Sequence, residues 1–365
     1  MTSYLFVTWD GGGNVPPMLR IAAELHRRGH TVRVLGHPQQ RDAVQAAGLR
    51  FEPYQQVRPW SATVPATNVQ WAWKYLRLFT DRAGIGELTA SLRRESADVA
   101  VIDCMMLGAI KAAQNLGLRQ VVLTHTFYAY LRNGFDRGPV GLTGRMMGLP
   151  PNSLWNRSDL NLILTAPELE PATVIPANAA FTGPVWPVGA PAPVSHTDDA
   201  NILISLSSIY YVGQRKVLET ALDAVADLPV RATLTTGHGV DPQDLHAPAN
   251  VDVHRFLPHG QILPRVRLVV GHAGHGTTMQ ALAHDLPLVL IPMSPLGDQP
   301  LVAKAVARSG AATVVKRSAS PDVLRAAIER MLDDGPHRAA ATTIGKQLRA
   351  TDGAGAAADL IQQVG

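Results

Sequence analysis

The run Gly271-His272-Ala273-Gly274-His275-Gly276-Thr277-Thr278 has the make-up of an anion site. It follows an apolar strand, Leu268–Val270, and opens a helix, Thr277–His284. Glycines clear side chains from such a turn, so backbone N–H groups at the helix start can face a phosphate. Thr277 can cap that helix and offer its hydroxyl to the same anion. A ligand-free strand-to-helix turn uses the same glycines, so the company this run keeps has to decide. Ser207 and Ser208 fall at another strand-to-helix turn, where two hydroxyls suit capping and phosphate contacts alike. Phe256 and Leu257, in Arg255-Phe256-Leu257-Pro258-His259, offer an aromatic face and a backbone edge to a nucleobase. Asp298-Gln299-Pro300 sets a carboxylate beside a carboxamide, and both groups can take bidentate contacts from sugar hydroxyls.

The first half carries a different kind of chemistry. All six Trp precede residue 190, as does every Phe and Tyr except Tyr210, Tyr211 and Phe256. Rings give large, stiff, apolar contact area, so this skew points to an apolar ligand on the first half or to an aromatic core there. Trp71, Tyr75 and Leu78 fall at helical spacing, with Trp73 and Phe79 beside them. Met105-Met106 and Met146-Met147 add adaptable surface, and His125, Phe127 and Tyr128 follow a strand. Trp71, Tyr75, Phe79, Met105, His125 and Phe127 are therefore the expected residues of an apolar ligand pocket. His125 is also open to recruitment as a base, or is a satisfied core histidine.

These residues need a frame. The chain has 365 residues, enough for two domains. Apolar residues at 46% and charged ones at 17% exclude disorder. The net charge is +4, with the cations scattered, which argues against nucleic acid. The one cysteine, Cys104, excludes a disulfide framework and a thiolate metal cluster. The opening Met1-Thr2-Ser3 lacks a cationic leader, and no apolar stretch approaches the ~18 residues of a bilayer span. A cytoplasmic protein without stable membrane insertion is expected; a homodimer is left open.

Short apolar runs alternate with helical patterns throughout. Tyr4–Trp9, Thr31–Leu35, Val99–Ile102 and Gln120–Thr124 read as strands, and Pro16-Pro17 marks a helix start. Asn201–Leu206, Val230–Thr235, Leu268–Val270, Leu288–Ile291 and Ala312–Val315 form a second series. Between them, residues 178–198 are rich in Pro and Gly and show no periodicity, as a linker would. The expected fold is α/β: two doubly wound Rossmann-like parallel-sheet domains facing a cleft. The first spans 1–190, the second spans 199–335, and 336–365 form C-terminal helices that can cross back.

The run Gly271–Thr278, with Phe256-Leu257-Pro258-His259 upstream and Asp298-Gln299 downstream, resembles the donor half of inverting GT-B glycosyltransferases. The likeness is to bacterial enzymes that decorate polyketides, enediynes and glycopeptides. Phe181-Thr182-Gly183-Pro184 resembles that family's linker, and Thr8–Pro17 its acceptor-side loop. The resemblance implies that His272, Gly274, Gly276 and Thr277 bind the donor diphosphate, helped by Ser207 and Ser208. It implies that Phe256 and Leu257 hold the base, and Asp298 and Gln299 the sugar. It further implies a UDP- or TDP-sugar donor, a hydrophobic small-molecule acceptor, no cofactor and no metal, with the helix N-terminus and His272 meeting the leaving-group charge.

One departure matters. Many members carry a His base in the first loop, oriented by an Asp after a later strand; here the His position is Asn14, which cannot accept a proton. Asp103 matches the orienting Asp. The catalytic set is then Asp10, Asn14 and Asp103, with Asp10 or Asp103 as base, or with an acceptor that needs little deprotonation. A non-catalytic nucleotide-sugar-binding helper and a nucleotide-sugar epimerase are the alternatives. A nicotinamide dehydrogenase is disfavoured, because Pro16 stands where its motif needs a third glycine.

Overall fold

A computed structural model describes residues 1–186 and 201–365. It divides into two compact units. The first comprises residues 1–61, 67–186 and 352–365, and the second comprises 62–66 and 201–351.

In the first unit seven strands form one sheet: β1 (Ser3–Val7), β2 (Thr31–Gly36), β3 (Arg50–Pro53), β4 (Val99–Asp103), β5 (Arg119–Thr124), β6 (Leu160–Ile163) and β7 (Ala179–Phe181). Their order is β3-β2-β1-β4-β5-β6-β7, and every pairing is parallel. β1 and β4 are apolar and buried on both faces, as a parallel sheet covered by helices requires. Helix Val15–Arg27 shows how one face is covered. Pro16 and Pro17 fix its first turn, and Met18, Ile21, Ala22 and Leu25 form its buried stripe. Burying each of the three larger side chains, Met18, Ile21 and Leu25, contributes about 1.5–3 kcal/mol.

The second unit holds β8 (Asn201–Ser205), β9 (Arg231–Thr235), β10 (Val251–His254), β11 (Leu268–Gly271), β12 (Leu288–Leu290) and β13 (Ala312–Val314). The order is β10-β9-β8-β11-β12-β13, again all parallel.

Each sheet has a point where the chain reverses its direction of winding. In the first it lies between β1 and β4, where Val7 pairs with Ile102. In the second it lies between β8 and β11, where Ser205 pairs with Gly271. Loops leaving neighbouring strands there diverge and leave room for a ligand at the carboxyl edge. Asn14 and Asp103 follow the first such point; Ser207 and His272 follow the second.

Three details differ from the sequence reading. Within 178–198, Ala179–Phe181 is an edge strand rather than linker, and residues 187–198 lie outside the described residues. The C-terminal helices do not act as one block. Helix Pro336–Arg349 stays on the second unit, where Arg349 binds Asp285 at 2.8 Å. Helix Gly353–Val364 joins the first, packing Ala354, Ala357, Ala358 and Ile361 into its core, with Arg28 holding Asp359 and Gln362. Small residues permit this close approach: a Cβ at Gly353 would stand 2.3 Å from the Pro184 carbonyl oxygen. Finally, the helix expected from Thr277 begins at His275 and has Gly274 as its N-cap.

Candidate active site

In the first unit the carboxylate of Asp103, at the end of β4, is the centre of a small network. It is 4% exposed. Its Oδ1 accepts the Met105 N–H at 2.9 Å, and its Oδ2 accepts the Asn14 side-chain amide at 2.8 Å. The same Asn14 Nδ2 donates to the Trp9 carbonyl at 2.9 Å, and its Oδ1 accepts the Gly11 N–H at 3.1 Å. Asn14 is thus a neutral clamp on the first loop and on Asp103. The His125 Nδ1 lies 3.4 Å from Asp103 Oδ2, and the Cys104 sulfur lies 4.0 Å from that nitrogen. Burial pushes the Cys104 thiol well above its ordinary range, so it stays protonated.

Asp10 sits in the same loop. Its backbone carbonyl accepts the Trp60 indole N–H at 2.7 Å, and its N–H meets His37 Nδ1 at 3.4 Å. His37 is enclosed, and burial holds its pKa down to about 4.

The expected acceptor-side rings pack together. Trp71, Tyr75 and Phe79 lie along helix Asn68–Phe79, and Trp9 and Trp60 lie against them. Ring centroids are 5.0 Å apart for Trp9–Phe79, 5.0 Å for Trp60–Tyr75 and 5.4 Å for Trp71–Tyr75. The indole N–H groups of Trp9 and Trp71 are buried without a partner in this cluster. Met105 is buried beside Asp103, whereas Phe127 is wholly enclosed in the core, and Met146 and Met147 are exposed.

In the second unit β11 ends in a turn through Ala273, whose φ is +64°. That turn lays the His272 ring across Gly274, where a Cβ would stand 2.5 Å from His272 Nε2. Helix His275–Ala283 begins there without a side-chain cap, so its first-turn amides have no intrahelical acceptor. His272 is partly accessible, but its Nδ1 is enclosed and unpaired, and burial, reinforced by His259, holds its pKa down to about 3. The ring is therefore neutral: the helix start, rather than His272, supplies the positive end of this site.

Thr277 is not the helix cap. Its hydroxyl lies 3.5 Å from His259 Nδ1, and His259 Nε2 lies 3.2 Å from Ser205 Oγ at the end of β8. Ser207 caps its own turn by accepting the Ile209 N–H at 3.1 Å, while Ser208 is exposed. Tyr211 leans on His272, with ring centroids 6.0 Å apart. Phe256 is 63% exposed, with its face available, and Leu257 is partly buried. Asp298 stands at the N-cap of helix Gln299–Arg308 without capping it through its side chain. Gln299 is buried, and its Oε1 accepts the N–H groups of Met293 (2.7 Å) and Ser294 (2.9 Å). Any ligand contact from that amide therefore falls to Nε2.

Trp9, Trp60 and His259 were absent from the expected set. Trp60 gives no local signal, since the carbonyl it binds is fifty residues away. His259 had one: it follows the strand and turn that carry Phe256.

Residues 219–356 match the family model of the erythromycin biosynthesis protein CIII-like C-terminal domain. The 4'-demethylrebeccamycin synthase of Lentzea aerocolonigenes is 28% identical, over 98% of this chain and 98% of its own. Over nearly its whole length the chain is thus similar to a glycosyltransferase of natural-product biosynthesis. An uncharacterised UDP-glucosyltransferase of Bacillus subtilis is 24% identical over 99% of this chain and 97% of its own. The crystal structure of the glycotransferase of kitacinnamycin superposes with a TM-score of 0.79 at 24% identity, covering 99% of this chain and 98% of that one. The two sheets are thus those of a GT-B fold. Among the described residues no helix is long and apolar enough to cross a membrane.

Proposed function

We propose that the chain is an inverting, metal-independent glycosyltransferase. It moves a hexose or deoxyhexose from a uridine or thymidine diphosphate donor to an apolar, aromatic or polyketide-type acceptor, with no cofactor. The observation that carries this reading is the unpaired, enclosed Nδ1 of His272 beside an uncapped helix start, at the winding reversal of the second sheet. Amides there stabilise a diphosphate as it gains charge, and they do so most in the transition state. His272, Gly274, Gly276 and Thr277 form the phosphate side, with Ser208 more available than Ser207. Phe256 and Leu257 take the base, and Asp298 with Gln299 Nε2 take the sugar. The Bacillus relative, a UDP-glucosyltransferase by name, supports a uridine donor. The ring cluster of the first unit supports a flat apolar acceptor. Its two unpaired indole N–H groups suit oxygen atoms on such a molecule.

Purified chain incubated with UDP-glucose or TDP-glucose and a panel of phenols tests this. The expected result is a glucoside, by mass spectrometry, whose anomeric configuration is opposite to the donor's. Retained configuration overturns inversion. Asn14, which lacks basicity, favours the helper reading; turnover by the pure protein excludes that role, and donor binding without turnover supports it.

A further inference from the structure

We infer that His125, oriented by Asp103, is the general base of the transfer; this rests on the function proposed above. β4 and β5 are adjacent and parallel, with Asp103 paired to Leu123. Asp103 ends β4 and His125 stands just past the end of β5, so the sheet itself brings carboxylate and imidazole to one edge. His125 Nδ1 lies 3.4 Å from Asp103 Oδ2 and 4.0 Å from the Cys104 sulfur, which leaves Nε2, on the opposite edge of the imidazole, for another molecule. No hydrogen bond to Nε2 is present among the described residues, and the side chain is 15% exposed. Asn14 fixes the other partner. Its amide donates to the same Oδ2 and, having no basicity, competes for no proton. A carboxylate held by one neutral amide and one backbone N–H, with an imidazole as third neighbour, is suited to stabilise the imidazolium that forms during catalysis.

The step balances. The acceptor O–H gives its proton to His125 Nε2 as its oxygen bonds to the anomeric carbon. The bond from that carbon to the diphosphate oxygen breaks, and its electron pair leaves on the diphosphate. The imidazolium, beside Asp103, returns the proton to water.

Asp103, Cys104 and His125 also have ligand atoms within 4.8 Å of one another, which is the spacing of a metal set. Two features oppose that use: the Cys104 thiol is held protonated, and Asp103 Oδ2 is occupied by the Asn14 amide.

The test compares the parent with His125→Asn at pH 8, using UDP-glucose and two acceptors: 4-nitrophenol, which is mostly ionised at that pH, and 4-methylphenol, which is not. Loss of a general base is expected to lower the rate with 4-methylphenol about 100-fold or more and to leave 4-nitrophenol far less affected. UDP affinity is expected to be unchanged, and imidazole is expected to restore part of the activity of His125→Gly. Equal losses with the two phenols, an unaffected variant, or activation of the parent by zinc overturns the inference. A parent silent toward both phenols counts against the proposed function instead. The dyad is then read from nitrogen-15 histidine spectra without turnover. Hydrogen on Nδ1 of His125, lost from that position in Asp103→Asn, is expected; hydrogen on Nε2 in the parent overturns it.

Discussion

Gly274→Ala isolates the contribution of His272. Gly274 has φ −64° and ψ 132°, which any residue adopts, so the substitution adds no backbone strain. Its cost is local: the new Cβ would lie 2.5 Å from His272 Nε2 and 2.7 Å from Cε1. Carbon contacts settle near 3.5–4.0 Å, so the ring must move by about 1 Å. If the ring donates to the donor diphosphate, that hydrogen bond to a charged group is lost, at about 1.5–3 kcal/mol. The expected result is binding about 10- to 100-fold weaker. Calorimetric titration of UDP into the parent, Gly274→Ala, His272→Ala and the double variant measures it. Because both changes act through one ring, the double variant should bind like His272→Ala alone. Parent-like binding by Gly274→Ala, or losses that add, would refute the role given to His272.

Other expectations can be checked separately. Asn14→Asp replaces an N–H donor 2.8 Å from Asp103 with a second carboxylate oxygen. One of the two acids must then stay protonated. Urea unfolding should show a loss of about 1–3 kcal/mol at pH 8 that shrinks toward pH 5; equal stability at pH 8 would contradict the clamp. His37 is held neutral, with its pKa lowered by burial to about 4. Unfolded, it titrates near 6.5, so its share of stability is complete above that pH and is lost as pH falls toward 4. His37→Gln should flatten the acid-side slope by about 1.4 kcal/mol per pH unit; an unchanged slope would argue against burial as the cause. Asp298→Ala should keep UDP affinity and lose discrimination among UDP-hexoses in competition assays; unchanged preference would remove it from the sugar site.

Much of this frame can be read from residues alone, because central parallel strands are continuous apolar runs. β1, β4, β8 and β11 are of that kind. Edge strands are harder. β3 is Arg-Phe-Glu-Pro and β7 is Ala-Ala-Phe beside a Pro/Gly stretch, and neither carries enough apolar length to stand out. The glycine spacing of 271–276 announces the uncapped helix start. The Thr277 cap was misplaced because extended backbone at Gly274 starts the helix two residues early. Polar partners across the sheet are the least legible. Asp103 is singled out by the family resemblance, as the match to its orienting Asp, and Asn14 in the place of a histidine gives no sign of their contact. Its second neighbour, His125, is named from the sequence as open to recruitment, and adjacent parallel strands deliver both residues to one edge. The ring cluster was visible as a compositional skew, but Trp9 and Trp60 entered it only through folding.

The most direct measurement is calorimetric titration of UDP-glucose and TDP-glucose into the parent and His272→Ala. One donor is expected to bind the parent at one site per chain and to bind the variant at least tenfold more weakly. No heat with either sugar nucleotide, or identical binding to both proteins, would contradict a diphosphate held at His272 and the helix that follows it.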